Sequence, residues 1–463
     1  MEMNKNLSGF DPDLIRRYDS RGPRYTSYPT ALEFTPDVTE EVYIANARAS
    51  NETALPLSLY VHVPFCHSLC YYCGCNKIVT RNEARVERYL DALHREIELQ
   101  APLFDRSRRV EQLHFGGGTP TYLDARQLDR LFRYIRSGFT LDDSEHRQFS
   151  IEVDPRTVDR GRIGELQSLG FNRLSLGIQD FDEQVQEAIN RIQPLDEVAA
   201  LLADAREHGF GSISFDLIYG LPHQTLERFD KTLDATLEMR PDRLSVYNYA
   251  HLPNRFKGQR MIDETLLPSP DAKLAILGRT IKRLTEAGYV YIGMDHFALP
   301  DDELAIARKD GSLQRNFQGY STHWHCDLIA LGVSSIGSIG NLYAQNTTST
   351  ADYEKTLASG RLPIVRGIAV DEDDQIRAAV IQSLMCYDHL SFDKISERFG
   401  IDFKQYFERE LEELAPLEAD GLLERHDDSV RILDTGRFLL RNIAMVFDRH
   451  LAFAPAERFS KAI

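Results

Sequence analysis

The sequence predicts an α/β fold: an incomplete (β/α)6 barrel with an N-terminal arm and a mainly helical, winged-helix-like C-terminal domain. Three observations predict it. Short apolar runs recur, each followed by a longer stretch of helical periodicity, the pattern of repeated βα units. Polar or glycine-rich residues gather at the C-terminal ends of those runs, where the loops of a parallel barrel build one rim. After about Ile364 the alternation gives way to amphipathic helices and a strand pair.

The elements follow in order. An arm over residues 1–55 holds Arg21-Gly-Pro-Arg-Tyr-Thr-Ser-Tyr-Pro-Thr30 and is too polar and proline-punctuated to be a domain of its own. The barrel spans 56–363. Its strands are expected at Leu57–Phe65, Gln112–Phe115, Phe149–Val153, Arg173–Gly177, Ser212–Tyr219 and Arg243–Tyr249. Between them lie expected helices at Glu83–Gln100, Ala125–Ser137, Arg160–Leu169, Leu195–His208 and Leu226–Met239. This alternation argues for parallel strands with helices packed outside. The C-terminal domain, 364–463, is expected to hold helices Asp374–Met385, Ser391–Phe399 and Phe403–Leu414. A strand pair across Leu422–Leu433 and a last helix, Thr435–Val446, complete it. Helix-turn-helix then hairpin has a winged-helix form. Its acidic runs, Asp371-Glu-Asp-Asp374 and Glu410-Leu-Glu-Glu413, favour a substrate lid or packing role over nucleic-acid binding.

Composition narrows the function classes. The chain has 463 residues, 42% hydrophobic and 27% charged, as in ordinary globular proteins. A formal net charge of −17 argues against a general nucleic-acid or membrane-surface binder, since both partners are polyanionic. Four of the six cysteines fall in one loop, with Cys326 and Cys386 isolated, which is no disulfide framework and implies a reducing compartment. The first residues lack the apolar core of a signal peptide, and no run approaches the ~18 apolar residues of a membrane span. A cytoplasmic, monomeric protein is expected.

Chemistry concentrates at Cys66, Cys70, Cys73 and Cys75, directly after the first strand. The first three are spaced C-x3-C-x2-C. Soft thiolates on a tight loop suit three corners of a [4Fe–4S] cluster and leave the fourth iron open. A structural zinc site is the competing reading, but zinc usually takes four ligands in paired groups, and no second pair follows at zinc-finger distance. Cys75 reads equally as a small buried residue or as a group near substrate; as a fourth ligand it would close the open iron. His62, His251, His296 and the His323/His325/Cys326 group are read as structural or substrate-facing rather than as a second metal centre.

Gly116-Gly-Gly-Thr-Pro120 follows a strand and reads either as a tight turn or as a backbone that approaches a ligand closely. Glu152 and Asp154 stand at the third strand end, with Gln179, Arg191 and Asp216 further on. Carboxylates suit ribose hydroxyls, and an arginine fork suits a carboxylate, but each residue taken alone reads first as a solvated rim residue or a helix cap.

The cysteine spacing, with Tyr72 before the third cysteine, resembles the signature of radical S-adenosylmethionine (SAM) enzymes. The whole chain resembles the oxygen-independent coproporphyrinogen III oxidases, or coproporphyrinogen dehydrogenases, of that superfamily. The resemblance runs through Arg24-Tyr-Thr-Ser-Tyr-Pro-Thr30, Tyr60-Val-His-Val-Pro-Phe-Cys66, Cys73-Gly-Cys-Asn-Lys77, His114-Phe-Gly-Gly-Gly-Thr-Pro-Thr121 and Ile151-Glu-Val-Asp-Pro-Arg156. It continues through Ser175–Asp180, Asp216–Pro222, Tyr249-Ala-His251, Asn316–Tyr320 and Gly332–Gly337.

The resemblance implies a radical SAM barrel in which Cys66, Cys70 and Cys73 ligate the cluster. It implies that Tyr60, Gly117, Glu152, Ala250 and Ile336 line one SAM site. A second SAM would lie by Tyr72, Gly118, Thr119, Gln179, Arg191 and Asp216, with Phe317 and Gln318 beside it. Arg21 and Arg24, like Arg191, are candidates to hold substrate propionates, and each reads equally as a surface ion pair. The implied reaction is oxidative decarboxylation of two propionates of coproporphyrinogen III to vinyl groups, giving protoporphyrinogen IX in haem biosynthesis. A 5′-deoxyadenosyl radical would abstract the hydrogen. A flavodoxin- or ferredoxin-type donor and an electron acceptor would serve as partners. Two rivals remain: a haem chaperone of the superfamily, and a radical SAM enzyme that processes haem.

Overall fold

The computed structural model describes residues 9–18, 21–323 and 325–451. The stretch Met1–Ser8, which bears on the expected absence of a leader, lies outside them. Contacts group the chain into two compact units. One joins Phe34–Ser269 with His325–Ala369; the other joins Met1–Glu33, Pro270–Trp324 and Val370–Ile463.

The first unit contains the barrel. Strands β1 (Leu57–Val63), β2 (Val110–Gly117), β3 (Gln148–Val153), β4 (Arg173–Gln179), β5 (Ser212–Tyr219) and β6 (Arg243–Asn248) pair side by side, all parallel. Helices α1 (Glu83–Gln100), α2 (Ala125–Gly138), α3 (Arg160–Leu169), α4 (Leu195–Glu207) and α5 (Leu226–Met239) connect them. The local causes are explicit. Asn82, Asp124, Asp159 and Thr225 each accept a backbone N–H at a helix start, and Asp124 with Gln127 forms a capping box. Gly170 ends α3 in the left-handed region, φ 112°. Side chains alternate between the faces of a strand: in β1 Leu59, Val61 and Val63 share one face and are fully buried, while Ser58, Tyr60 and His62 take the other. Each such buried apolar side chain stabilises the fold by about 1.5–3 kcal/mol. Phe115 of β2 stacks on Phe132 of α2 at 5.5 Å, and Phe171 meets both edge-on, which fixes α2 against the outside of the sheet.

The sheet is wider than six strands. On the far side of β1 runs a seventh parallel strand, β7 (Asp327–Leu331), in register Leu57↔Asp327 to Val61↔Leu331. Antiparallel strands β8 (Ile336–Ile339), β9 (Leu342–Asn346) and β10 (Ile364–Ala369) continue from it.

The second unit is mainly helical. Helices Pro270–Glu286, Glu303–Asp310, Glu372–Tyr387 and Phe392–Phe399 accompany a three-stranded sheet in which Ser429–Ile432 lies between His389–Ser391 and Leu423–Arg425. The helix and hairpin arrangement fits the winged-helix expectation. The single helix expected over Phe403–Leu414 is broken: Phe403–Tyr406 and Glu408–Glu413 meet at Phe407, whose φ of −110° leaves the helical range while its ring is fully buried against Phe403 and Phe447. The expected last helix begins as a 3-10 turn, Gly436–Leu439, before Leu440–Met445. Leu14, Tyr25 and Tyr28 of the N-terminal stretch share this unit's core with Ile376, Leu384 and Phe447. Among the described residues no helix is long and apolar enough to cross a membrane.

Candidate active site

The cysteine loop leaves the C-terminal end of β1 and is tied down at both sides. Phe65–Cys66 pairs in parallel with Ile78–Val79, closing the loop at its base. The neighbouring β2 loop locks onto it: the Gly118 N–H donates to the Val63 carbonyl and the Thr119 N–H to the Phe65 carbonyl, each at 2.8 Å. A Cβ on Gly118 would stand 2.7 Å from the Pro64 carbonyl carbon, and one on Gly117 (φ 113°) only 2.5 Å from the His62 ring. The glycines are therefore required first by this loop-on-loop packing. Behind the loop, Tyr71 and Tyr72 pack on an apolar cluster of Val185, Ile189, Leu221, Tyr249 and Ile262.

A cavity of about 480 Å³ opens over the strand ends. Cys66, Cys70, Cys73 and Cys75 line one side, and Tyr72, Gly117, Gly118, Thr119, Glu152, Gln179, Arg191 and Asp216 line the rest. With Tyr247 of β6, residues from six successive strands and the loops that follow them meet at one site, as the barrel pattern predicts. Three further expected residues do not line it. Tyr60 is held inside the barrel, stacked on His114 at 5.8 Å. Ala250 is exposed just past β6; its carbonyl and that of Tyr72 both accept from the Gln259 amide, at 3.2 and 2.9 Å. Ile336 opens β8, opposite Gln345 and half-buried. Arg21, Arg24, Phe317 and Gln318 belong to the second unit. There Arg24 reaches Asp295 at 3.2 Å, Arg21 is exposed, and Phe317 and Gln318 form the turn between Gln314–Asn316 and Gly319–Ser321.

Electrostatics sort the polar lining. Asp154 holds two arginines, Arg156 at 2.6 Å and Arg191 at 3.1 Å, and both reach the Cys70 sulfur, at 3.4 and 3.5 Å. Burial opposes the charge on Asp154, but these guanidinium groups outweigh it and lower the carboxyl's pKa. Arg191 also donates twice to the Gly177 carbonyl, at 3.1 and 2.5 Å. Glu152 accepts from the Gly117 N–H at 3.1 Å and from His114 Nε2 at 3.4 Å. Against the burial cost, these donors keep its pKa below the usual carboxylate value. Asp216 goes the other way: burial and the Glu152 charge push it up to about 6, although Ser175 and Ser245 hydrogen-bond it.

His62 Nε2 lies 3.0 Å from the Asn76 carbonyl, which can only accept, so Nε2 carries the proton and Nδ1 accepts from Tyr60 at 3.1 Å. Burial lowers the His62 pKa and keeps it neutral. Gln179 sits at φ 67°, where the β4–β5 register shifts between Gly177 and Gln179. A bulge of this kind re-aims a side chain, here at the cavity.

The loop suits a thiolate-held cluster. Cys75 hydrogen-bonds the Cys73 sulfur, against burial and with Lys77 nearby, and holds that thiol down at about 5. Cys66 receives the Thr119 hydroxyl at 3.5 Å, while burial pushes its thiol up to about 11. Arg156, Arg191 and Lys77 supply the positive charge that several thiolates in one cavity require. Arg156, Lys77 and His67 are lining residues that the sequence reading left without a role; the alternation Glu152-x-Asp154-x-Arg156 off a strand end is the signal that marks the first.

A model described as the Radical SAM superfamily matches residues 60–236, and one described as the HemN C-terminal domain matches 370–439. The chain is 51% identical to an oxygen-independent coproporphyrinogen III oxidase of Pseudomonas aeruginosa, over 98% of this chain and 99% of that one. The chain belongs to this family. The oxygen-independent coproporphyrinogen III oxidase of Escherichia coli is 50% identical over 98% of both chains, and that of a Helicobacter pylori strain 46% identical over 99% of this chain. A solved structure of the Escherichia coli coproporphyrinogen III oxidase, described as a radical SAM enzyme, superimposes with a TM-score of 0.90 at 49% identity, covering 95% of this chain and 99% of the other. The family resemblance therefore extends over the whole chain, the N-terminal stretch and the helical C-terminal region included.

Proposed function

We infer that this chain is itself an oxygen-independent coproporphyrinogen III oxidase, which converts two propionates of coproporphyrinogen III to vinyl groups and yields protoporphyrinogen IX in haem biosynthesis. The observation that carries this reading is the 51% identity sustained over 98% of the chain. The cavity is consistent with it. Cys66, Cys70 and Cys73 would hold a [4Fe–4S] cluster, with Cys75 outside the ligand set. When bound, the cluster and SAM supply the electron and the 5′-deoxyadenosyl radical that takes a hydrogen from the propionate β-carbon.

The chain's own residues bind and orient. Glu152, ionised and braced by Gly117 and His114, accepts from a nucleoside hydroxyl or ammonium donor. Tyr60, Gly117, Glu152, Ala250 and Ile336 serve one SAM. Tyr72, Gly118, Thr119, Gln179, Arg191 and Asp216 serve a second, and Arg191 presents a fork already positioned by Asp154 to a carboxylate. Arg21 and Arg24 are propionate partners in this reading. The protein acts as a cytoplasmic monomer that takes electrons from a flavodoxin- or ferredoxin-type donor.

The test is anaerobic turnover of coproporphyrinogen III with SAM and a reductant after iron and sulfide reconstitution. Protoporphyrin fluorescence with 5′-deoxyadenosine and methionine is expected from the wild type and neither from Cys66→Ala. SAM cleavage with coproporphyrinogen unchanged and haem retained or consumed would replace the reading by a haem chaperone or haem-processing enzyme.

A further inference from the structure

At the opposite end of the strands from the cysteine loop, a second group of ligand-type side chains converges. Glu111, His325 and Cys326 each offer one ligand atom, and the three atoms lie within 4.8 Å of one another, all half-buried. His325 Nε2 and Glu111 Oε2 are 3.1 Å apart. His325 and Cys326 form the turn that enters β7, while Glu111 is the second residue of β2, so β1 runs between the two contributors. Glu111 reaches that place because the β1–β2 register shifts there. Leu57 pairs with Val110 but Ser58 with Gln112, leaving Glu111 as the extra residue of a bulge.

We propose that Glu111, His325 and Cys326 bind a zinc ion with an open fourth position, which joins β2 to β7 across the start of β1. Imidazole nitrogen, thiolate sulfur and carboxylate oxygen form a donor set that zinc accepts, with a water completing the tetrahedron. Zn–N and Zn–O near ~2.0 Å and Zn–S near ~2.3 Å place ligand atoms roughly 3.3–3.5 Å apart, so a pair at the outer limit of 4.8 Å must close by about 1.5 Å. The adjacent carboxylate, Asp327, is already engaged by Arg108 and by the Gly340 N–H at 2.8 Å, so Glu111 is the carboxylate left for the metal. Binding replaces the His325–Glu111 hydrogen bond and releases the Cys326 proton to solvent; no redox change is involved. Chain-local spacing favours a structural reading of His325 and Cys326. What changes it is Glu111, which comes from 214 residues away.

Element-specific measurements on the cluster-loaded full chain separate this site from the iron site. After zinc loading and gel filtration, the wild type is expected to retain about one zinc per chain, with a zinc K-edge EXAFS shell of one sulfur near ~2.3 Å and lighter ligands near ~2.0 Å. Cys326→Ser, His325→Ala and Glu111→Gln, each checked for unchanged iron content as proof of folding, are expected to retain less than about a tenth of that zinc. Only trace zinc in the wild type, equal zinc in the three variants, or a zinc spectrum without sulfur overturns the proposal. If one variant fails to hold iron, the other two decide.

Discussion

The carboxylate of Asp154 holds the guanidinium of Arg191 at 3.1 Å, and the same guanidinium stands 3.5 Å from the Cys70 sulfur. Both side chains are buried, with 8% and 6% of their surfaces exposed. One pair therefore links the β3 rim to the cysteine loop. Asp154→Ala leaves Arg191 buried without its counter-charge, an arrangement that costs about 3–5 kcal/mol. The expected result is a marked fall in the urea midpoint together with loss of iron after reconstitution. An unchanged midpoint would mean that the Gly177 carbonyl alone holds Arg191.

Gly118→Ala places a methyl 2.7 Å from the backbone of Pro64, where neither neighbour is a flexible side-chain end. Overpacking of this sort costs about 1–3 kcal/mol, roughly a 5- to 150-fold effect on whatever equilibrium the loop controls. Iron content per chain after reconstitution measures it, and a decrease is expected with the far-ultraviolet circular dichroism unchanged.

Asp216 titrates with stability. Its folded pKa is raised to about 6, above the ordinary carboxylate value, so the folded state binds the proton more tightly than the unfolded chain. The stabilisation is complete below the unfolded value of about 3.9 and is lost as pH rises through about 6. Asp216→Asn removes this dependence. Urea midpoints of wild type minus variant should therefore fall between pH 4 and pH 6.5 and level off above; a difference flat across that window would contradict the burial argument.

Gln179 occupies the left-handed region at φ 67°, which costs a non-glycine residue of the order of 1–2 kcal/mol. Gln179→Gly is expected to keep or raise the thermal midpoint while weakening SAM binding in equilibrium dialysis. A variant with lowered stability and unchanged SAM affinity would show that the side chain packs the fold and does not serve the cavity.

Much of this architecture is legible in the sequence because parallel strands and their helices announce themselves locally. Glu83–Gln100, Arg160–Leu169 and Leu226–Met239 carry their caps and periodicity within one segment, and the structure returns them with the same bounds. The strand β7 does not announce itself. Asp327-Leu-Ile-Ala-Leu331 is five residues without a following helix, and its partner in β1 lies far back in the chain. The break at Phe407 is likewise tertiary, since the buried ring overrides a segment with helical periodicity. In the cavity, residue types at strand ends mark Glu152, Asp154 and Asp216, whereas Arg191 lies beyond the helix Glu183–Ala188 and is marked by the family resemblance. That Arg156 and Arg191 share Asp154 and converge on Cys70 requires coordinates. The placement of Tyr60 inside the barrel follows from alternation along β1, which puts it on the face opposite Leu59 and Val61.

The most direct measurement uses coproporphyrinogen III deuterated at the propionate β-carbons, turned over anaerobically by the reconstituted chain with SAM and a reductant. The account predicts 5′-deoxyadenosine carrying one deuterium, formed together with protoporphyrinogen. Unlabelled 5′-deoxyadenosine with coproporphyrinogen intact would contradict it.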